Sequence, residues 1–480
     1  MKKTMLLIAA CFMLLSLAAC TGKDKPALTQ ETVATHVPDM SIDPDTDCNN
    51  LNSGYWYWDC EMLETEDVYY LIHSGYLMYY DKAAQDSGYV CPRPECEHED
   101  KFNNTSCSAY LNACCFPSLC IYEGKLWWVG YPSIRTLGIY RMDLDGTNRE
   151  LLHEFEMEQK FRGSVCFYFH RGRLFWSSFY QRIIEGMAYS SAEFGYMGLD
   201  DFEQHVLCER LSFITPQPTI RFLGESAYLF ISYDGIDPEK DTVPNDETDL
   251  DAYFEWLKTN YISKEIMRWD PSMSEPETIY LDDDDTDTWG YDGFYVSPEA
   301  DIYFVEYEFE DPDYEWDPYA EWDPYANQSA TYICRLDSKG QKERVLKLKS
   351  EDGLYYTFVS IANGIVVAQH NRYTKDDNGY HNDGIDGIWI LSLDGETLYR
   401  GELPVAYREK YTGENHYYRI DGCWATKDEL ITAFCETYLN TGKSHGDERF
   451  FDFIKYEITS DGLVEIPLAS CRQHYSDEGW

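Results

Sequence analysis

The chain has 480 residues and a mass of 56.1 kDa, with 86 acidic and 39 basic side chains and a formal net charge of −47. Nucleic acid is excluded as a partner, because phosphate binding requires a basic surface, and so is polybasic attachment to anionic lipid. Hydrophobic residues make up 44% and aromatic residues 16% of the chain, enough apolar material for a core. The 41 Tyr and 13 Trp favour β-strands over helices.

The N-terminus predicts a targeting segment. Lys2 and Lys3 precede an apolar run over residues 5–15 that is too short to span a bilayer. The tetrapeptide Leu-Ala-Ala-Cys that ends at Cys20 is similar to the lipobox of bacterial lipoproteins, in which the cysteine is acylated. This similarity implies cleavage of residues 1–19, a lipid anchor at Cys20 and an extracytoplasmic location at the cell membrane. The alternative is an ordinary signal peptide that contains a cysteine.

The rest of the chain divides into a tether and a globular part. Residues 20–53 carry the cysteine and a stretch of Lys, Asp, Thr and Pro without apolar periodicity, which predicts a flexible tether. Residues 54–480 show short aromatic-rich strands separated by Gly, Asp and Asn turns, and almost no helical periodicity.

One four-stranded unit stands out and its second half recurs. Strands a to d are expected at residues 120–122, 126–129, 138–144 and 150–152. Equivalent turn glycines are Gly146, Gly340, Gly395 and Gly462, spaced 194, 55 and 67 residues apart. The longest interval holds about three units, so the period is about 60–65 residues and the copies number seven. A single unit cannot bury both its faces, so we expect an all-β radial array, a β-propeller of seven four-stranded blades, with six or eight as alternatives.

Two resemblances support this architecture. Residues 139–152, Ile-Tyr-Arg-Met-Asp-Leu-Asp-Gly-Thr-Asn-Arg-Glu-Leu-Leu, resemble the strand–turn–strand repeat of TolB-type periplasmic propellers. Residues 69–110, with the run Tyr-Tyr-Asp-Lys that ends at Lys82 and several cysteines, resemble a group of surface lipoproteins of anaerobic Gram-positive gut bacteria. These resemblances imply fold and location, and no activity.

Long connections are expected on one face of the propeller. Strands in a blade alternate in direction, so a–b and c–d turns share one face and b–c and d–a connections share the other. The long b–c connections are predicted at 180–203, 234–263, 308–329, 371–386 and 437–449, and the long d–a connections at 91–117 and 282–291. Loops on a rigid scaffold commonly build binding sites.

These connections are acidic and aromatic. Residues 234–251, 282–292 and 308–326 together carry a net charge of −21, close to half of the total. Candidate ligand-binding residues are a tandem aromatic set and an acidic run: Trp316, Tyr319, Trp322, Tyr325, Asp282, Asp283, Asp284 and Asp285. They would suit a glycan, cationic groups of a protein, or Ca²⁺. The alternative is a duplicated, solvated loop, and the Asp run lacks the glycine and terminal Glu of an EF-hand loop.

One helix is predicted at residues 249–260, because Leu250, Tyr253, Phe254 and Leu257 fall at helical spacing. Its apolar stripe either packs on its own domain or presents a ridge to a partner.

Four residues have a metal-ligand pattern. Cys91, Cys96, His98 and Cys107 form C-x4-C-x-H-x8-C, and three thiolates with an imidazole suit tetrahedral Zn²⁺. Such a four-ligand site has no open position and would be structural. Disulfides are the alternative, with Cys114, Cys115 and Cys120 as nearby partners in an extracytoplasmic protein. We expect Cys208 and Cys334 within c strands as small core residues.

No local signature of an enzyme is present. The sequence lacks HExxH, G-x-S-x-G and a P-loop, and His370 and His381 are expected to be ordinary surface residues. The sequence therefore predicts a non-catalytic, monomeric, lipid-anchored propeller that binds a glycan or protein through its long-connection face. Zn²⁺ or Ca²⁺ is expected only as a structural ion. The alternative is a glycoside hydrolase or lyase that uses Asp and Glu on that face.

Overall fold

A computed structural model describes residues 37–48, 60–73, 76–96, 98, 104, 106–111, 118–184, 187–212, 218–234, 252, 256, 261–282, 294–309, 328–349, 354–376, 379–402, 416–438 and 448–474. The chain divides into two compact units, Met1–Pro38 and Asp39–Trp480, and the fold described below belongs to the second. Among the described segments, none forms a helix with the length and hydropathy needed to cross a membrane.

Seven antiparallel sheets of four strands follow one another along the chain, and each pairs its strands in chain order. We call them blades 1 to 7. Blade 1 has β1 (Cys60–Glu64), β2 (Val68–His73), β3 (Tyr76–Asp81) and β4 (Asp86–Tyr89). Blade 2 has β5 (Cys120–Tyr122), β6 (Lys125–Ser133), β7 (Thr136–Met142) and β8 (Glu150–Glu156). Blade 3 has β9 (Ser164–His170), β10 (Arg173–Ile184), β11 (Met187–Gly198) and β12 (Gln204–Ser212).

The remaining blades repeat this order. Blade 4 has β13 (Thr219–Leu223), β14 (Ser226–Asp234), β15 (Tyr261–Trp269) and β16 (Glu277–Asp282). Blade 5 has β17 (Tyr295–Val296), β18 (Ile302–Phe309), β19 (Gln328–Leu336) and β20 (Lys342–Lys349). Blade 6 has β21 (Leu354–Ala362), β22 (Ile365–Asp376), β23 (Gly379–Ser392) and β24 (Thr397–Gly401). Blade 7 has β25 (His416–Ala425), β26 (Glu429–Tyr438), β27 (Glu448–Thr459) and β28 (Gly462–His474).

This arrangement confirms the predicted all-β propeller with seven four-stranded blades. A short 3₁₀ helix, Gln159–Phe161, precedes blade 3. Of the helix predicted at 249–260, the described residues Ala252 and Trp256 are helical, and the residues of its apolar stripe lie outside the described part of the chain.

The core is divided among the spaces between neighbouring blades. Each of seven apolar clusters joins two successive blades. The cluster that closes the ring joins blade 1 to blade 7, with Leu71 against Phe453, both fully buried. Tyr69 Oη also donates to Glu429 Oε1 across this junction at 3.1 Å. Burying one large apolar side chain contributes about 2–3 kcal/mol. Packing of side chains between blades 1 and 7 therefore stabilises the closed ring.

Three of the a–b turns have two residues each and share one conformation. In blades 2, 3 and 6 both turn residues have positive φ, as at Glu123 (50°) and Gly124 (69°), or Arg171 (43°) and Gly172 (74°). Two positive φ values define the type I′ turn, whose twist matches that of the flanking strands. We call the face that carries these turns the tight-turn face and the opposite one the long-connection face.

The c–d turns explain the recurring glycines. The amides of Gly146, Gly340 and Gly395 each donate to the carbonyl three residues earlier, and all three glycines have positive φ, from 76° to 90°. A positive φ favours glycine, so the same turn recurs with the same residue.

Two predicted loops are strands instead. The connection predicted at 180–203 is wrong, because β10 and β11 continue as a paired hairpin to Ile184 and from Met187. The connection predicted at 371–386 is wrong for the same reason, since β22 pairs with β23 as far as Asp376 and Gly379. Polar residues gave both segments the composition of loops, but the backbone ladder extends through them. Cys208 lies in β12, the outermost strand of blade 3, rather than in a c strand, whereas Cys334 lies in β19 as predicted and is buried.

Candidate functional site

Residues Asp39–Cys48, here called the strap, lie across the tight-turn face. Turns of three blades each donate one backbone N–H to a strap carbonyl, at 2.7 to 2.9 Å. The donor–acceptor pairs are Glu123 to Asp45, Arg171 to Thr46, and Glu225 to Asp39. The part of the predicted tether that the structure describes from Asp39 onward is therefore docked on blades 2, 3 and 4.

Side chains reinforce the strap. The Arg171 guanidinium donates to both carboxylate oxygens of Asp47, from Nε at 2.6 Å and from Nη2 at 3.0 Å. The amide of Cys48 donates to His170 Nδ1 at 2.9 Å, and His170 Nε2 contacts the Gly224 carbonyl at 2.7 Å. These partners fit a neutral imidazole protonated on Nε2, and burial lowers the pKa of His170 to about 4.

Ionisable residues of the inner strands meet near the end of the strap. Glu61 on β1 is buried, its Oε2 accepts from the Leu119 amide at 2.9 Å, and its Oε1 has no hydrogen-bond partner. Burial raises the pKa of Glu61 to about 8. Burial likewise raises the pKa of Cys48 and of Cys166 to about 12, and the Glu61 carboxyl acts electrostatically on both thiols. The thiols therefore stay protonated at neutral pH, which suits packing rather than reactivity.

The four predicted metal-ligand residues come together after blade 1. The ligand atoms of Cys91, Cys96, His98 and Cys107 all lie within 4.8 Å of one another. Cys91 follows the end of β4 by two residues, and Cys107 is buried with 1% of its surface exposed. A turn with a hydrogen bond from the Cys96 amide to the Arg93 carbonyl, at 3.2 Å, brings Cys96 back toward Cys91.

Backbone N–H groups are directed at the sulfurs. Burial opposes ionisation of Cys91, but hydrogen bonds from the Arg93 amide and from His98 outweigh it and place the pKa of Cys91 at about 6. Burial raises the pKa of Cys107 to about 12, and the neighbouring Cys96 thiol adds to the rise, although the amides of Ala109 and Tyr110 donate to the Cys107 sulfur. Amide donors of this kind stabilise the negative charge of a thiolate.

Aromatic rings hold His98 in place. Its imidazole stacks on Tyr89 with a centroid distance of 4.4 Å and an interplanar angle of 13°, and it meets Tyr76 edge-on at 6.4 Å. His98 Nε2 is buried and has no hydrogen-bond partner. A buried ring nitrogen without a partner is costly unless a ligand satisfies it.

The connection that carries these residues is attached to both neighbouring blades. Its Ala109 carbonyl accepts from the Leu77 amide of β3 at 2.8 Å, and Tyr110 forms an isolated β-bridge with Tyr76. On the blade 2 side, Arg149 Nη1 donates to the Tyr110 carbonyl at 2.7 Å.

None of the nine cysteines whose side chains the structure describes is in a disulfide. They include Cys91, Cys96 and Cys107, and also Cys120, which was one of the predicted partners. The other two, Cys114 and Cys115, lie outside the described residues.

The remaining predicted site residues fall largely outside the described part of the chain. These are Cys20, Trp316, Tyr319, Trp322, Tyr325, Asp283, Asp284 and Asp285. Asp282 is the last residue of β16, at its end on the long-connection face.

A carboxylate pair that sequence reasoning missed lies on blade 3. Glu193 of β11 and Glu209 of β12 are opposite each other in the register. Burial raises the pKa of Glu193, although Lys160 Nζ lies 3.4 Å from its Oε1. Burial also disfavours ionisation of Glu209, but hydrogen bonds from Ser191 and Arg182, both 2.6 Å long, hold its pKa below the usual value. Sequence spacing could not have shown this pair, because the long hairpin of β10 and β11 was predicted as a loop.

Comparison with known proteins supplies no family. No protein-family model matches the chain, and no curated protein matches it. Solved structures with a similar fold include an acylaminoacyl peptidase (13% identity, 86% of this chain and 52% of that chain, TM-score 0.41). Others are a Bombyx mori GH32 β-fructofuranosidase (12%, 76% and 90%, 0.29) and a Pseudomonas brassicacearum lignostilbene dioxygenase (11%, 72% and 72%, 0.33).

The chain spans about half the length of two acylaminoacyl peptidases and a prolyl endopeptidase that it matches, 51% to 59%. At these identities and TM-scores, the similarities carry no argument about activity.

Proposed function

We propose that this protein is a lipid-anchored, extracytoplasmic propeller that binds a ligand or partner, without catalysis, through its long-connection face. The observation that supports this most is the strap. It covers the turns of blades 2, 3 and 4 on the tight-turn face with the chain's own residues, which reduces the part of that face open to another molecule and favours the opposite face.

The position of the strap also suggests which face of the propeller would lie toward the membrane. The strap begins at Asp39, beside the tight turn of blade 4. Acylation at Cys20, as its lipobox-like context implies, would tie this same face to the membrane. The 18 residues between Cys20 and Asp39 reach at most about 65 Å. The acidic, aromatic connections would then point outward, where a glycan or a cationic protein surface can reach them.

The test starts from a soluble form that lacks residues 1–20, screened against glycans and metal ions with turnover measured on every glycan that binds. We expect binding without hydrolysis. A Trp316→Ala, Trp322→Ala double variant should lose the binding, whereas Lys427→Ala in a tight turn of blade 7 should retain it. Binding lost in Lys427→Ala and retained in the double variant would contradict the proposed face.

The lipid anchor has its own test. Wild-type protein should incorporate labelled fatty acid and Cys20→Ala should not.

A second candidate function is carbohydrate cleavage, and the blade 3 carboxylates favour it. Glycoside hydrolases use two carboxyl groups that flank the scissile bond, and Glu193 and Glu209 are opposed in the register of neighbouring strands. Opposite pKa shifts within a pair are typical of an acid and a base. We place this function second because Glu193 is buried and donors of its own domain, Lys160 and Trp176, already occupy it. Turnover that disappears in both Glu193→Gln and Glu209→Gln, with glycan binding retained, would promote it to first.

A further inference from the structure

We propose that Cys91, Cys96, His98 and Cys107 hold one Zn²⁺ ion in a closed tetrahedral site that fastens the connection between blades 1 and 2. The ion would have the same structural role whichever ligand the long-connection face binds.

The first argument is geometric. With Zn–S distances of about 2.3 Å and a Zn–N distance of about 2.0 Å, the edges of the ligand tetrahedron are about 3.5–3.8 Å. The four ligand atoms here already lie within 4.8 Å of one another. Closing onto the ion therefore requires the ligand atoms to approach one another by about 1 Å or less.

The second argument concerns the donors around the site. The sulfurs of Cys91 and Cys107 each accept backbone N–H groups. Arg93 Nη2 lies 3.5 Å from the Cys96 sulfur, and the same guanidinium nitrogen donates to the Ser106 carbonyl. These donors and this cation compensate the excess charge that three thiolates leave on a divalent ion.

The third argument is the unsatisfied imidazole. The His98 ring is clamped between Tyr89 and Tyr76, and its buried Nε2 has no partner. A metal ion ligated by Nε2 would supply the missing partner. Soft thiolates with one imidazole select Zn²⁺ over the hard ions Ca²⁺ and Mg²⁺.

The ligand number decides the role. Four protein ligands complete a tetrahedron and leave no position for water or substrate, so the ion is structural. Among the described residues of this connection and its surroundings, the apolar cluster has four buried members, Tyr76, Cys107, Ala109 and Tyr110. A core this small is where a metal cross-link adds most to local order. Pairing two of the three thiols as a disulfide would instead leave one thiol and the imidazole unsatisfied.

The test measures metal in protein made without a polyhistidine tag and purified without chelator. We expect one zinc per chain, and after exchange into Co²⁺ the visible absorption of tetrahedral thiolate coordination. Cys96→Ser should lose both signals. Cys208→Ser, which removes a half-buried thiol on β12, should keep them. His98→Cys should also keep both signals, since it retains four soft ligands. This variant tests the site even if a substitution such as Cys96→Ser impairs folding.

A second measurement follows the connection itself. Removing the metal with a chelator should speed hydrogen exchange at the Leu77 amide, which donates to the Ala109 carbonyl, and should leave the Glu225 amide on the tight-turn face unchanged. Metal-free wild-type protein with a disulfide among Cys91, Cys96 and Cys107 would overturn the proposal. So would zinc that persists in Cys96→Ser, or protein that gives no thiolate absorption with Co²⁺.

Discussion

Glu61 shows how a single buried carboxyl acts on stability. Its Oε2 accepts from the Leu119 amide, the Ser118 amide also favours the ionised carboxylate, and Oε1 is buried without a hydrogen-bond partner. Burial outweighs these donors and raises the pKa of Glu61 to about 8, so the proton is retained up to about that pH. The folded chain then holds a proton that the unfolded chain has released at neutral pH, so the free energy of unfolding falls as the pH rises.

This linkage predicts a pH-dependent effect of Glu61→Gln. The folded pKa of about 8 lies above the ordinary value of 4.5, so this residue's contribution is complete below about pH 4.5 and declines up to about pH 8. Urea unfolding should show wild type and variant alike at pH 5, with the variant more stable by a few kcal/mol at pH 9. The exposed Glu123→Gln serves as control and should follow wild type. Parallel profiles for Glu61→Gln and wild type would contradict the assignment.

The strap passes close to Gly224 of the ring. Its φ is +54°, and a Cβ built on it would lie 2.0 Å from the Asp39 carbonyl oxygen. Gly172 occupies the corresponding turn of blade 3 with φ +74°, but a Cβ there would meet nothing within 4 Å. Of these two turn glycines, Gly224 therefore combines the backbone requirement with a steric one, and Gly172 does not.

We predict different costs for alanine at these two glycines. Gly172→Ala introduces only the left-handed conformation, about 1–2 kcal/mol. Gly224→Ala adds displacement of the strap, so its loss in unfolding free energy should be larger by at least about 1 kcal/mol, and a protease that cleaves at Asp should cut residues 39–48 faster. Equal losses and equal cleavage would show that the strap does not depend on this contact.

Among elements, the strap has no regular secondary structure, yet it is specified by many hydrogen bonds. Asx turns shape it locally, as in the amide of Ser41 donating to Asp39 Oδ1 and that of Asp45 donating to Asp43 Oδ1, both at 3.0 Å. The bidentate pair between Arg171 and Asp47 then joins it to blade 3. Asp47 retains only 5% side-chain exposure, so this pair is shielded from solvent and contributes more than a surface ion pair.

Removal of that pair should loosen the strap without unfolding the ring. We expect Arg171→Ala to lower the free energy of strap opening by about 2 kcal/mol, which is about thirtyfold faster hydrogen exchange at the amides of Glu123 and Glu225. Arg182→Ala, which removes an exposed ion pair with Glu209, should leave both amides unchanged. Exchange at wild-type rates in Arg171→Ala would assign the docking to the backbone hydrogen bonds alone.

For the whole molecule, packing between blades works against charge. Seven interblade clusters hold the ring together, while a net charge of −47 repels itself throughout the chain. Repulsion of this kind opposes the compact state more than the unfolded one.

Salt should therefore stabilise the protein. The Debye length falls from about 30 Å at 0.01 M to about 8 Å at 0.15 M ionic strength. Calorimetry should show Tm rising by a few degrees over this range in NaCl, and equally in tetramethylammonium chloride if screening is the cause. A rise seen only with a metal salt would indicate specific ion binding, and a fall in Tm with either salt would contradict the argument.

Most features that could be predicted from the sequence involve residues close to one another along the chain. Alternating aromatic strands and turn glycines such as Gly146 and Gly340 indicated the blades, because twist and positive φ restrict local residue choice. The spacing of Cys91, Cys96, His98 and Cys107 singled out a ligand set that the fold brings within 4.8 Å. The extents of β10 and β22 were missed, since polar residues pair in a ladder without any apolar signal.

The sequence by itself therefore determined the repeating unit and the strand and turn chemistry, which are local properties of the chain. Only the tertiary structure decided what meets across the ring. Arg171 reaches Asp47 across 124 residues, Tyr69 reaches Glu429 across 360, and Glu61 loses its solvent only when the inner strands converge. Burial and long-range contact arise from closure of the ring, and no local pattern in the chain records where that closure places each residue.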